Sequence, residues 1–223
     1  MKKAIFIFIA FLFCFQLTGN AQKARVGLTG GLSFANLSRT IGGIGEDGDY
    51  RIGIAGGMLV DLPFGKKQQW SFQPSVDYVQ KGAAEVATAP VNKKYTALRY
   101  AEMPLNFVRN FKCGKSKQST FYLGAGPYIA FNLPSKKVEH IPGNDVETDV
   151  MFGETVAHDM KGVDFGANAI MGYRTGMGIF VSLHYTQGAR NLYPVDGTDN
   201  KIKNICFGVR IGYLFKNAAA AKK

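Results

Sequence analysis

The most informative pattern in this sequence is an alternation of apolar residues with small or polar residues. Between Ile205 and Phe215 every odd position is apolar, whereas the even positions are Cys, Gly, Arg, Gly and Leu. The same alternation returns in residues 121–132 and 163–174. A period of two predicts β-strands with one apolar face. Eight such strands are predicted, at about residues 23–38, 50–63, 69–82, 96–110, 118–132, 162–175, 177–190 and 201–215.

The connections between these strands alternate in length. Those after the second, fourth and sixth strands are short, at residues 64–68, at residues 111–117 and at Gly176, and the others are longer. Barrels of the outer membrane keep short turns on the periplasmic side and long loops outside, so both termini are expected in the periplasm. The longest connection, residues 133–161, looks like a structureless insertion. An insertion of that length is usually either functional or disordered, and both readings stay open.

A soluble eight-stranded barrel is the main alternative to a membrane barrel. Its polar face would meet water and be rich in Lys, Glu and Thr, whereas here that face is dominated by Gly, Ser, Asn and Tyr. The apolar face also carries aromatic residues near the strand ends, as in the two interfacial girdles of membrane barrels. These residues are Trp70, Tyr78, Phe121, Phe131, Tyr173, Tyr185, Phe207 and Phe215. The sequence therefore predicts an all-β protein, an eight-stranded antiparallel up-and-down β-barrel of a Gram-negative outer membrane.

The N-terminus has the pattern of a secretory signal peptide. A basic start, Met1 to Lys3, precedes an apolar run over residues 4–15, and small residues stand at Gly19 and Ala21. About twelve apolar residues are too few to cross a hydrocarbon core about 30 Å thick. We predict a cleaved signal peptide at 1–21, a barrel domain at 22–215 and a short periplasmic tail at 216–223.

The chain is basic, with a net charge of +11. Loss of Lys2 and Lys3 with the signal peptide would leave about +9. The charges are spread over turns, loops and termini, so nucleic acid is not an expected partner, whereas anionic lipid headgroups are. The remaining cysteines, Cys113 and Cys206, are far apart, and neither a disulfide framework nor a zinc spacing is indicated.

Alternation places a set of charged residues, together with His184, on the face that looks into the barrel. Four acids and four bases in a confined space are expected to pair, because a buried charge without a partner is very costly. An eight-stranded barrel is just wide enough to be filled by side chains, which predicts a plugged lumen without a cofactor. The predicted network is Arg25, Asp61, Asp77, Lys81, Glu102, Asp164, Arg174 and Arg210.

Enzyme and metal chemistry are weighed against simpler explanations. Ser182 shares a face with His184, and Asp164 lies on the neighbouring strand, but any polar lumen supplies such proximity. A structural, hydrogen-bonded His184 is favoured, and no enzyme is predicted. His140 and His158 lie in an acidic loop without the spacing of a metal site, which favours a solvated loop.

Several segments resemble the outer-membrane β-barrel family of Bacteroidetes that includes the PorT proteins. The most specific are Gln80-Lys81-Gly82 and Glu102-Met103-Pro104-Leu105, and the resemblance extends over residues 72–82, 99–105, 121–128, 164–166 and 208–215. It implies an OmpA- or OmpX-like barrel and, through PorT, a link to type IX secretion. Such barrels commonly end at an aromatic residue that the barrel-assembly machinery reads. Tyr213 and Phe215 would fill that role, although eight residues follow Phe215.

Three hypotheses for the function follow. The first is a structural or interaction protein whose outer loops, mainly residues 133–161, meet an extracellular partner or the lipopolysaccharide layer. The second is an accessory of protein secretion, as the resemblance implies. The third is a small-solute porin or a loop-borne enzyme activity.

Overall fold

A computed structural model describes residues 24–85, 87, 89, 91–114 and 118–215. The predicted signal peptide and periplasmic tail lie outside the described residues. Within those residues no helix is long and apolar enough to cross a membrane. The described part of the chain forms ten β-strands and one 3-10 turn, Lys66–Gln68. The strands are β1 (Arg25–Ile41), β2 (Ile44–Asp47), β3 (Asp49–Phe64), β4 (Trp70–Glu85), β5 (Lys93–Cys113), β6 (Ser119–Ile141), β7 (Asn144–Asp149), β8 (Val163–Arg174), β9 (Ile179–Gly188) and β10 (Lys201–Leu214).

Eight of these strands close into a barrel. The order around the ring is β1-β3-β4-β5-β6-β8-β9-β10, and β10 pairs back onto β1. This last pairing is antiparallel and runs from Gly27 opposite Leu214 to Thr40 opposite Lys201. The short strands β2 and β7 lengthen β1 and β6 into hairpins. The predicted eight-stranded antiparallel barrel is confirmed, and each ring strand matches a predicted segment closely except where β6 continues past residue 132.

The two faces of each strand differ in the way the alternation predicts. On β9, Phe180 and Ser182 are buried inside, whereas Val181 and Leu183 are each 49% exposed on the outside. The outside of the barrel is therefore apolar and the inside is mixed. Such a surface is stable when the outside meets lipid.

Exposed aromatic residues mark two levels on the outer face. On β6, Phe121 and Phe131 both face outward, ten residues apart, and Phe111 of β5 pairs with Phe121. Ten residues span about 33 Å along a strand. At the tilt of membrane barrels this distance corresponds to an apolar band about 25 Å tall.

The two ends of the barrel differ in their connections. The connections from β3 to β4, from β5 to β6 and from β8 to β9 are short and lie at one end, where β1 begins and β10 ends. We call this the turn end. The opposite loop end carries both extra hairpins and the connections at 150–162 and 189–200.

The expectation that residues 133–161 form a structureless insertion is wrong. Strand β6 continues to Ile141, turns at Gly143 with a φ of 84°, and returns as β7. All six residues of β7 are exposed. Both faces of β7 meet water, so the apolar alternation that signals a half-buried strand is absent from its sequence.

Candidate functional site

Most of the predicted lumen charges form close pairs inside the barrel. Near the turn end, the fully buried Asp61 accepts hydrogen bonds from Arg25, whose Nε lies 3.1 Å away, and from Gln73 Nε2 at 2.8 Å. Arg174 Nη1 lies 3.6 Å from the same carboxylate. One acid is thus held between two arginines.

Two further acids lie opposite each other on β4 and β5, and each has its own base. Asp77 pairs in register with Glu102. Arg210 Nη1 donates to Asp77 Oδ2 at 2.9 Å, and Lys81 Nζ lies 2.5 Å from Glu102 Oε2. The repulsion between neighbouring carboxylates is therefore offset on both sides.

Lys81 is surrounded by groups that favour its charge. Its side chain is 0% exposed and that of Glu102 is 1% exposed. The ammonium group lies 4.6 Å from the centre of the Tyr128 ring and 5.5 Å from that of Tyr100. Aromatic faces attract cations at these distances. The ion pair and two rings together compensate the loss of hydration.

Asp164 departs from the expectation that all eight charges pair. Among the described residues no base lies within 4 Å of this fully buried carboxylate. Its Oδ2 instead accepts hydrogen bonds of 2.9 Å from Tyr128 Oη and from Asn204 Nδ2. The nearby base Lys81 contacts Glu102 directly and acts on Asp164 only from a greater distance. Neutral donors therefore take the place of a cation.

An apolar cluster, which we call the cap, fills the loop end of the lumen. Its members come from the barrel wall and from two loops that fold into the mouth. Met160 and Leu192 are 4% and 0% exposed. Lys161 N donates to Leu192 O, and Leu192 N donates to Ile202 O, both at 2.8 Å. The cap comprises Leu37, Ala83, Leu98, Tyr100, Tyr128, Ala130, Val150, Met160, Leu192 and Ile202, with Phe152 and Tyr193 packed against it.

Sequence reasoning missed the three loop residues of the cap, Val150, Met160 and Leu192. Met160 stands alone between Asp159 and Lys161, whereas Val150 begins the short apolar run of residues 150–152 and Leu192 precedes Tyr193. Single apolar residues and runs of two or three are too short for a periodicity to reveal them. The only available signal was that such residues are unusual in a solvated loop.

Ionic contacts hold the loop that supplies Met160. Lys137 of β6 pairs with Asp159, whose Oδ2 also accepts a 2.9 Å hydrogen bond from Met151 N. Partial burial of Asp159 tends to raise its pKa, but these hydrogen bonds outweigh it and the pKa is lowered. The charged form of Asp159 thus stabilises the loop over the mouth.

The structure places Ser182 beside His184 but Asp164 elsewhere. Ser182 Oγ lies 2.9 Å from His184 Nε2. His184 pairs with Ile170, which is six residues along β8 from Asp164, or about 20 Å. Ser182 and His184 border a cavity of about 30 Å³, which has room for one or two water molecules. Among the residues that the structure describes, no acid is hydrogen-bonded to the His184 ring, and the geometry agrees with a hydrogen-bonded structural histidine.

The two loop histidines each have one near neighbour. His140 Nδ1 lies 2.6 Å from Asp145 Oδ1, and His158 Nδ1 lies 2.7 Å from Thr155 Oγ1. No group of three or more His, Cys, Asp or Glu side chains in the described part of the chain is placed to hold a metal ion.

Tyr213 and Phe215 lie on the outer face at the turn end, 39% and 45% exposed. Their ring centres are 5.1 Å apart, and Phe215 N donates to Val26 O at 2.8 Å. Phe215 is thus tied to the first strand across the closing seam. Recognition of these residues by the assembly machinery stays a prediction.

A family model and several solved structures are similar to this chain. The family model of the outer membrane protein beta-barrel domain matches residues 20–193. Among solved structures, the attachment invasion locus protein Ail of Yersinia pestis is 10% identical, with a TM-score of 0.44, covering 86% of this chain and 99% of that chain. Neisserial surface protein A, NspA, is also 10% identical, with a TM-score of 0.45, covering 85% of this chain and 97% of that chain.

No curated protein matches the chain. The family match confirms the predicted location in the outer membrane. Because the matched residues make up well over half of the sequence, this protein belongs to the family of outer membrane proteins with a β-barrel domain.

Proposed function

We propose that this protein is a membrane-anchored interaction protein with a closed lumen, and that its outer loops meet an extracellular partner or the lipopolysaccharide layer. The observation that carries the proposal is the cap. Two loops place Met160 and Leu192 inside the mouth, where both are buried. A lumen closed in this way leaves the outer surface of the loop end as the place where function resides.

Passage of an ion would require several unfavourable steps. The ion would have to lose water to pass the cap and then displace the pair between Lys81 and Glu102. Breaking a buried ion pair costs several kcal/mol, on the order of 3–5. The narrow interior of an eight-stranded barrel offers no route around this pair.

The hairpin of β6 and β7 is the main surface proposed for interaction. Because the long loops of outer-membrane barrels face outward, we expect this hairpin to lie outside the cell. Its tip carries Asp145 and Glu147, and Val146 between them is 40% exposed. Exposed loops on a rigid scaffold are common binding sites.

The closed lumen can be tested in planar lipid bilayers. We expect the refolded wild-type protein to give no steady ion-sized channels. A variant with Met160→Gly and Leu192→Gly, which removes two of the three loop side chains of the cap, is combined with Lys81→Ala and Glu102→Ala. It serves as the open control and should conduct. Steady channels in the wild type would contradict the proposal.

The role of the loops can be tested in intact cells. A photo-crosslinking residue at Val146 reports on the hairpin, and one at the lipid-facing Phe107, which is 55% exposed, is the matched control. We expect Val146 to give a discrete crosslink to one protein or to lipopolysaccharide, and Phe107 to give only lipid adducts. Identical products from both sites would count against a loop partner.

A PorT-like role in secretion is the second candidate, and it rests on the resemblance in β4 and β5. Those two segments contain Lys81 and Glu102, which contact each other inside the barrel. Their similarity is therefore explained by a shared interior and supports a family relationship more than a shared task. Loss of secreted cargo in a deletion strain, restored by the intact gene, would favour secretion over the first proposal.

A further inference from the structure

A group of cations lies at the loop end of β3, β4 and β5. The Arg51 guanidinium carbon is 5.2 Å from the centre of the Tyr95 ring, and Lys93 Nζ is 5.6 Å from the same centre. Arg99 is close enough to Arg51 for the two positive charges to repel each other. We call Arg51, Lys93, Tyr95 and Arg99 the Tyr95 cluster.

The cations of the Tyr95 cluster have no acidic partner among the side chains that the structure describes. The neighbouring Lys94, by contrast, pairs with Glu139 at 3.0 Å. Arg51 donates to Lys81 O and Arg99 donates to Pro134 O, each over a long 3.4 Å. Most N–H donors of these two guanidinium groups are therefore available to bind an anion. Adjacent like charges are unfavourable unless an anion lies between them.

The cluster lies just beyond the apolar band. Arg99 is two residues nearer the loop end of β5 than Ala101, which pairs with the outward-facing aromatic residues Tyr78 and Phe131. Two residues of a strand span about 7 Å. Aromatic girdles lie at the level of the lipid headgroups, so Arg99 reaches the layer where lipid phosphates are found. Ile52, next to Arg51, is 63% exposed on the lipid-facing side.

We propose that the Tyr95 cluster binds the phosphate group of a lipid in the outer leaflet. A guanidinium group presents a planar pair of donors that matches two phosphate oxygens, and two such groups can hold one phosphate from different sides. Lys93 adds a third positive charge. The acyl chains of the same lipid would lie along the apolar wall below. This site is on the barrel wall, apart from the cap and the hairpin tip, so it does not depend on the proposed function.

Native mass spectrometry of the full barrel released from micelles tests the proposal. The probes are diphosphorylated lipid A, the same lipid without phosphates, and inorganic phosphate. We compare the wild type with the variant Arg51→Gln/Arg99→Gln. The control is Lys201→Gln/Lys203→Gln, which removes two loop-end cations of β10 outside the cluster. Gel migration that changes on heating verifies that each variant is folded.

We expect the phosphorylated lipid to bind the wild type and the control variant equally, and to bind Arg51→Gln/Arg99→Gln about tenfold more weakly. The lipid without phosphates should bind the wild type about as weakly as the phosphorylated lipid binds that variant. Equal binding to the wild type and the Arg51→Gln/Arg99→Gln variant would overturn the site. Displacement of the lipid by millimolar inorganic phosphate would overturn the assignment to a lipid and indicate a soluble phosphate ligand instead.

Discussion

Replacing Lys81 by methionine tests the organisation of the lumen most directly. Methionine keeps most of the side-chain volume and removes the charge. Glu102 would then be a carboxylate with 1% exposure and no base in contact. The substitution would remove the 2.5 Å contact between Lys81 Nζ and Glu102 Oε2. It would also remove the contacts of the ammonium group with the rings of Tyr100 and Tyr128.

The expected cost follows from this burial. Removal of one member of a buried ion pair typically destabilises a protein by about 3–5 kcal/mol, because the remaining charge is left without compensation. Removal of both charges costs much less. We therefore expect Lys81→Met to lower the free energy of unfolding by about 3–5 kcal/mol, and Lys81→Met/Glu102→Leu to lie within about 1–2 kcal/mol of the wild type.

Urea unfolding of the barrel in lipid vesicles measures these free energies. Lys136→Met is the matched control, because Lys136 pairs with Glu147 on the exposed hairpin, and no measurable change is expected there. The reasoning would be refuted if the double variant were as unstable as Lys81→Met. It would also be refuted if Lys81→Met and Lys136→Met behaved alike.

Three further outcomes are expected. Leu192→Ala should lower the free energy of unfolding in urea by about 2–5 kcal/mol, because it leaves a cavity in the buried cap. No change would show that the cap does not stabilise the barrel. Gly82→Ala should lower the free energy of unfolding by at least about 1–3 kcal/mol, because residue 82 has a φ of 115° and a Cβ there would lie 1.9 Å from Thr96 O. The control Gly45→Ala should leave it unchanged, because the space around Gly45 is open. The pKa of Asp159 is lowered, so its contribution to stability is present above about pH 4 and is lost as pH falls through the folded-state value. The protection of amides 151–160, which is the exchange rate corrected for the intrinsic rate at each pH, should therefore be constant from about pH 7 to 5 and fall only in stronger acid. A loss of protection near pH 6 would contradict this.

The membrane-spanning part of the barrel was predictable because one physical requirement governs it. Successive residues such as Val181 and Ser182 face lipid and a crowded interior in turn. The sequence therefore alternates between apolar and small or polar residues with a period of two. Strand β7 has water on both faces and lacks the contrast. It was therefore not predicted, although the part of β6 that lies in the barrel ring was.

The sequence could predict which charged residues face the lumen but not which of them pair with each other. Alternation identifies Asp77 and Glu102 as inward-facing, yet which base approaches each acid depends on the register of the closed ring. Asp164 shows the limit most clearly, because its partners are the neutral donors of Tyr128 and Asn204. The neutral side chains of a lumen are as important for its pairing as the charged ones.

The seam between β1 and β10 constrains how this protein is made. The two strands that must pair are the first and the last of the barrel, so the ring cannot close before β10 has been synthesised. A chain that lacked β10 would present the unpaired backbone groups of β1 and β9 to hydrocarbon, where each unsatisfied group costs several kcal/mol. A truncated product therefore has no stable place in the bilayer. Closure of the seam therefore selects for chains that contain the whole barrel, from β1 to β10.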